Sequence, residues 1–229
     1  MKTTLKILTL ALIFAFGTQA TLAETCLDLE KGKESHLKRL EIAKVKIFEQ
    51  DTSSLKAIKE KQAEKVLYIQ EKTEARVLEL ETIISDLQAL PDQSETVQNT
   101  IATISENISL YTKNTQTSLD SFSSAVDTAL NEKTNAIKNV VQQYETGVIQ
   151  LYDKALVSCK KSTYDQDIFE QDLKAVQKRV LDAEKNSKRI LQGIDSLYAS
   201  LSLALDESDT SLNLILKSIQ VSLLENPPK

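Results

Sequence analysis

Two cysteines, one histidine and two short acidic clusters are the residues of this 229-residue chain whose types and spacing could support chemistry. Zinc sites and catalytic triads need several titratable or ligating groups that converge in one place. The one histidine, His36, has no second histidine to join it, and the chain has no glycine-rich phosphate loop. We therefore interpret His36 as a surface residue beside Leu37, and we predict no enzyme, no metal site and no cofactor.

The two acidic clusters resemble calcium ligands only in residue type. They comprise Asp165, Asp167 and Asp172, and Asp206, Glu207 and Asp209. Neither cluster has the alternating ligands and the glycine turn of a known calcium loop. The first cluster falls where a helix is expected to begin. Negative charge near a helix N-terminus is stabilising without any bound metal ion, because it interacts with the helix dipole. A structural role is therefore expected for both clusters.

The start of the chain indicates the compartment. Residues 1–6 form a short basic head, and residues 7–17 are an apolar run of eleven residues, too short to span a membrane. Small residues follow, and they predict a secretory signal peptide at residues 1–23, cleaved after Ala23 or, as second choice, Ala20. An uncleaved membrane anchor is the alternative. No later segment has the length of a membrane-spanning run, so we expect a secreted or periplasmic protein.

The charge of the chain argues against binding to nucleic acid. Signal cleavage would remove Lys2 and Lys6 without any acid, which changes the formal net charge from -5 to -7. Phosphate neutralisation requires clustered Lys and Arg, whereas the basic residues between Lys31 and Lys65 alternate with glutamates. These charges are typical of a solvated helix face, and no nucleic-acid partner is expected.

The spacing of apolar residues predicts a few very long helices. Turns use glycine and proline heavily, and the chain has only four glycines and three prolines, so few turns are expected. Apolar residues recur at alternating steps of three and four, which predicts helices at about 27–90, 95–160 and 166–224. In each predicted helix these apolar residues form a seam along one side. In the first helix, polar residues interrupt the seam at Lys44, around Asp51 and at Gln62.

The links between these segments are short, which makes the helices neighbours that run in opposite directions. The first link follows Pro91. The predicted fold is all-α, an elongated up-down-up three-helix bundle in which a coiled-coil-like antiparallel hairpin is joined by a third long helix. We expect residues 24–229 to form a single domain.

The cysteines support this hairpin independently. Cys26 lies 66 residues before Asp92, and Cys159 lies 66 residues after Gln93, so a reversal at that point brings both to the same level. In an oxidising compartment, a disulfide between them is expected. The alternative is acylation of Cys26 as the first residue of a lipoprotein. Glu24 and Thr25 fit that processing poorly, and it would leave Cys159 without a role.

One feature of the third helix indicates a binding surface. Leu203, Leu214 and Val221 lie off the main seam at separations of 11 and 7 residues, which return to nearly the same angle on a helix. With Leu224 nearby, they form a second apolar stripe. It is either a broad core contact or a surface for self-association or partner docking.

These observations favour an exported, non-catalytic helical rod that binds or scaffolds proteins in the cell envelope or outside the cell. Its protein partner is not indicated by any motif, and a homo-oligomer is left open. The alternative is a periplasmic holdase-type chaperone that grips unfolded client proteins between helical arms. The acidic charge and the closed base of the hairpin favour the scaffold over the chaperone.

Overall fold

The computed structural model describes residues 26–91 and 94–225, and this part of the chain folds into three α-helices with no strand. The helices are α1 (Cys26–Gln88), α2 (Glu95–Lys160) and α3 (Gln166–Glu225). The predicted all-α helical bundle is therefore confirmed. The predicted signal peptide, residues 1–23, lies outside the described residues.

The acidic run in α3 does not interrupt the helix. The hydroxyl groups of Thr210 and Ser211 donate to the carbonyl oxygens of Asp206 and Glu207, at 2.7 and 2.9 Å, in the i to i−4 pattern of side chains within a helix. The apolar period of three and four continues through this run, and packing of the apolar side sustains the helix.

Local hydrogen bonds define the turn between α2 and α3. The amide of Thr163 donates to the carbonyl of Ser158, and the amide of Ser162 donates to the carbonyl of Cys159, both at 2.9 Å. This pair of bonds is a Schellman motif, and it places Ser162 at a φ of 57°, in the left-handed region that favours glycine. Asp165 then accepts a bond from the amide of Ile168 at 3.1 Å and caps α3.

The described chain packs as two compact units. Unit 1 comprises residues 26–58 and 128–193, and unit 2 comprises residues 59–91, 94–127 and 194–225. Each unit takes one segment from each of the three helices. The expectation of a single domain over residues 24–229 stays a prediction.

The core of unit 1 brings all three helices together. A close approach between α2 and α3 occurs at Gly147, where an added Cβ would lie 3.1 Å from Cγ1 of Val176. Glycine is therefore the residue that lets these helices pack at this distance. The buried apolar side chains include Leu29, Leu40, Ile47, Ile137, Val141, Tyr144, Val148, Tyr152, Ala155, Val176 and Val180.

Polar residues that interrupt the first seam have partners on α2 in unit 1. Lys44 donates to Glu145 at 2.6 Å and to Glu41 at 2.7 Å. Asp51 is buried and accepts hydrogen bonds from Lys133 and from Thr134 of α2. The interruptions are thus sites of specific pairing between α1 and α2.

Unit 2 has its own apolar core and one further polar contact of this kind. The Gln62 amide donates to the carbonyl oxygen of Ser123 at 3.2 Å. Phe122 of α2 packs its ring against Tyr198 of α3 in an edge-to-face arrangement with centroids 4.9 Å apart. One apolar cluster of this unit has the buried members Leu80, Leu87, Val97, Ile104, Tyr111 and Leu212.

Candidate functional site

The predicted stripe of α3 lies on the surface of unit 2. Leu203, Leu214 and Val221 are 60%, 62% and 53% exposed, so they do not form a core contact. With about 100° between successive residues, the three side chains lie within about 20° of one direction, opposite the buried Leu201 and Leu212. We call Leu203, Leu214 and Val221 the α3 stripe. The side chain of Leu224, the fourth predicted member, lies outside the described residues.

A polar network on one flank of α3 joins this helix to α1 and α2. Asp209 accepts a hydrogen bond of 2.7 Å from the hydroxyl of Tyr111 on α2. It also forms an ion pair with Lys72 of α1, with 3.5 Å between the charged atoms. Asn213 accepts a hydrogen bond from Arg76 of α1. Burial and the bond to Asp209 raise the pKa of Tyr111 to about 12, so this hydroxyl remains a donor. These contacts resist rotation of α3 and keep the stripe in solvent.

Charged side chains flank the α3 stripe. Glu207 and Lys217 are exposed and lie within about 40° of the direction of the stripe. The ion pairs that α3 makes in the described part of the chain use Asp172, Asp182 and Asp209, not Glu207 or Lys217. The stripe is therefore an apolar line with an acid and a base beside it.

Sequence reasoning missed a second exposed apolar line in unit 2, on α1. Leu67 and Leu78 are 56% and 65% exposed and are separated by 11 residues, the spacing that identified the α3 stripe. The same test applied to α1 would have found them. Beside Leu78, a shallow groove of about 510 Å³ is lined partly by Glu71, Glu74 and Glu81. This side of α1 is therefore strongly acidic, which distinguishes it from the α3 stripe.

In unit 1, the structure brings the two predicted cysteines together. Cys26 is the first residue of α1, and Cys159 is in the last turn of α2. They form a disulfide with a Cα–Cα distance of 5.7 Å, within the usual range. The bond joins the ends of two helices across 133 residues of sequence. The predicted pairing is therefore present in the structure.

His36 lies ten residues after Cys26 on α1 and is half-buried, not on the open surface as the sequence suggested. Its Nδ1 forms a hydrogen bond with the hydroxyl of Tyr152, and the two rings meet edge to face with centroids 5.5 Å apart. Burial, together with the charge of Arg39, lowers the pKa of the imidazole. Tyr152 also packs against Phe169 of α3, at 5.1 Å between centroids. His36 is thus part of the packing of three helices.

The acidic clusters take part in structural contacts. Asp165 caps α3, Asp172 pairs with Lys154 at 3.1 Å, and Asp209 binds Tyr111. Among the residues that the structure describes, no group of three or more His, Cys, Asp or Glu side chains is arranged to hold a metal ion. None of the helices in the described ranges has the length and apolarity needed to cross a membrane.

Comparison of the chain with protein-family models, with curated proteins and with solved structures finds no significant match.

Proposed function

We propose that this chain is an exported, non-catalytic helical protein that binds another protein through the α3 stripe. The observation that carries the proposal is the alignment of three large apolar side chains, each more than half exposed, on one line of a helix held in place on its other side. Single exposed apolar residues are common, and we interpret the alignment of three of them along one side of a helix as a surface for interaction. Full burial of such a side chain contributes about 1.5–3 kcal/mol of free energy, so each side chain of the stripe that a partner covers strengthens binding.

The shape of the stripe favours a protein partner over a small molecule. From Leu203 to Val221, the helix rises about 27 Å, and the stripe is only one side chain wide. Small-molecule sites are concave and enclose most of the ligand surface. A convex apolar line flanked by charges instead suits the apolar side of another helix.

The disulfide supports a location outside the cytoplasm. Cytosolic thiols are kept reduced, so a structural disulfide between helix ends is expected to persist only in an oxidising compartment. The basic and apolar residues at positions 1–17, which predict a signal peptide, point to the same compartment.

Photo-crosslinking in intact producing cells tests the binding surface. A photoreactive amino acid replaces Leu214 in the full-length chain, and the matched control carries it at Leu78, an equally exposed leucine of the same unit. We expect discrete crosslinked species from position 214 and none of the same mass from position 78. No adduct from position 214 would contradict the proposal. A broad ladder of adducts from both positions would favour the holdase-type chaperone instead.

A further inference from the structure

The exposed side of α1 in unit 2 is acidic along its whole length. Its centre lies opposite the buried Gln62, Ile69 and Leu80. At about 100° per residue, every charged residue from 60 to 81 within about 80° of that centre is an exposed glutamate. We call this set the α1 acidic face; it comprises Glu60, Glu64, Glu71, Glu74 and Glu81.

The α1 acidic face also has apolar surface between its carboxylates. Leu67 and Leu78 are 56% and 65% exposed, and both lie within about 40° of the centre of the face. The shallow groove beside Leu78 has Ala75 and Val77 in its lining, together with Glu71, Glu74 and Glu81. Such a surface fits lysine or arginine side chains, because their alkyl stems cover apolar atoms while their charged ends stay near the carboxylates.

The exposed side of α3 in unit 1 has the opposite charge. Its centre lies opposite the buried Val176, Val180 and Ser187. Four exposed cations lie within about 40° of that centre, and we call them the α3 basic face; they are Lys174, Lys178, Lys185 and Arg189. One acid, Asp182, lies equally near the centre and pairs with Lys185 at 3.3 Å. Four cations and one acid leave this face with a net charge of +3.

We propose that the α1 acidic face of one copy of this chain binds the α3 basic face of another copy. Glu64 and Glu71 are seven residues apart, and so are Lys178 and Lys185, so opposite charges recur at the same spacing on the two faces. All four of these side chains lie within about 30° of the centre of their face, so neither pair is turned to one flank. They can therefore meet whether the two helices run parallel or antiparallel.

Charge complementarity selects a contact between unlike faces. Two acidic faces or two basic faces would repel each other, whereas an acidic face and a basic face attract. A copy that has used one face still presents the other, so association continues beyond a dimer into rings or open chains. This contact uses no residue of the α3 stripe, and it therefore goes beyond the proposed function.

Sedimentation velocity of the disulfide-bonded mature chain measures this association. Exposed ion pairs are individually weak, so we expect a dissociation constant of roughly 100 μM at a salt concentration of roughly 50 mM. Association should be at least about fivefold weaker at roughly 500 mM salt, because exposed charges are screened. Samples from roughly 5 μM to roughly 1 mM cover this equilibrium.

Charge reversal on each face tests which surfaces meet. Glu64→Lys/Glu71→Lys and Lys178→Glu/Lys185→Glu should each weaken self-association at least about tenfold, because the two faces of one variant then carry like charges. An equimolar mixture of these two variants should recover association, because each face of one variant then finds its opposite on the other. A chain with all four substitutions should recover it as well.

A matched control separates the contact from the effect of net charge. Glu106→Lys/Glu132→Lys replaces two exposed glutamates of α2 and changes the net charge as much as Glu64→Lys/Glu71→Lys does. This control should associate at least as well as the native chain. Circular dichroism should show the same helix content for every variant, because all the substituted side chains are exposed.

Three results would overturn the inference. They are a native chain that stays monomeric at every concentration at low salt, an association that Glu64→Lys/Glu71→Lys leaves unchanged, and a mixture of the two reversed variants that associates no better than each alone. None of them would affect the crosslink expected from position 214, which reports on the α3 stripe.

Discussion

Lys133 of α2 donates a hydrogen bond to Asp51 of α1, and these side chains are only 5% and 4% exposed. Thr134 also donates to the second carboxylate oxygen of Asp51, at 3.3 Å. A buried charge is costly unless its partner is present, so a shift of α2 along α1 would leave both charges without compensation. This pair therefore specifies how the two helices align in unit 1.

Removal of one partner should destabilise the protein strongly. We expect Lys133→Met to lower the free energy of unfolding by about 3–5 kcal/mol, because Asp51 then remains as a buried charge. Replacement of both charges, with Asp51→Leu and Lys133→Met together, should recover most of that loss. Urea unfolding followed by circular dichroism measures these differences.

An exposed ion pair provides the control for this experiment. Lys59 and Asp127 pair at 3.4 Å, with side chains 61% and 50% exposed, and Lys59→Met should cost less than about 1 kcal/mol. A double variant of Asp51 and Lys133 that is as unstable as the single variant would show that the ionic contact stabilises the fold in itself. That outcome would contradict the interpretation that removal of one charge is costly because the other remains unpaired.

The disulfide should add measurable stability to the chain. It closes a loop across 133 residues, for which the chain-entropy model gives about 5 kcal/mol as an upper figure. We expect the Cys26→Ser/Cys159→Ser variant to unfold at a lower urea concentration than the oxidised native chain. Reduction of the native chain should reproduce this effect and should leave the double variant unchanged. Equal midpoints for all samples would mean that the bond does not restrain the unfolded chain.

Stability should depend on pH through His36, which is the only histidine in the sequence. Burial lowers the pKa of His36 in the folded protein, so the unfolded chain takes up a proton first as the pH falls through its ordinary value of about 6.5. The free energy of unfolding should therefore decrease from pH 7.5 to pH 5.5. His36→Gln should reduce this decrease, which urea titrations at the two pH values would reveal. An equal decrease in both proteins would place the titrating group elsewhere.

Ser162 should be a site where glycine improves stability. Its φ of 57° costs a residue with a side chain roughly 1 kcal/mol, and glycine adopts this conformation without that cost. We expect Ser162→Gly to raise the free energy of unfolding by up to about 1 kcal/mol. Ser162→Ala removes the hydroxyl but keeps the Cβ, so it should give no such gain. Thermal unfolding of the two variants separates the effect of backbone strain from that of the hydroxyl.

Much of the fold could be predicted because long helices leave a simple periodic signal. The period of three and four continued through Asp51 and Gln62, and the structure buries both residues at seam positions. The symmetric placement of the cysteines about the first link brought Cys26 and Cys159 into one predicted pair, which the structure contains. Periodicity also placed the α3 stripe off the main seam but left open whether it was a core contact or a surface, and the structure leaves it exposed.

The contacts between distant polar residues could not be predicted in the same way. Tyr152 is 116 residues from His36, and no local pattern indicates that a hydroxyl will meet that imidazole. Lys133 lies four residues before the buried Ile137 of α2, but nothing in the sequence around it indicates a buried partner for its charge. Such a residue becomes recognisable only when the register of the opposing helix is known, because burial of a charge depends on its partner.

We propose that this chain works outside the cytoplasm as a helical protein in which a disulfide joins α1 to α2. Intact mass and an unreduced peptide map of the protein from its producing cells test that claim most directly. We predict a chain that begins at Glu24 or Thr21, with the peptides of Cys26 and Cys159 linked within one molecule. A chain with an acylated Cys26, or one that retains Met1 and has free thiols, would contradict it.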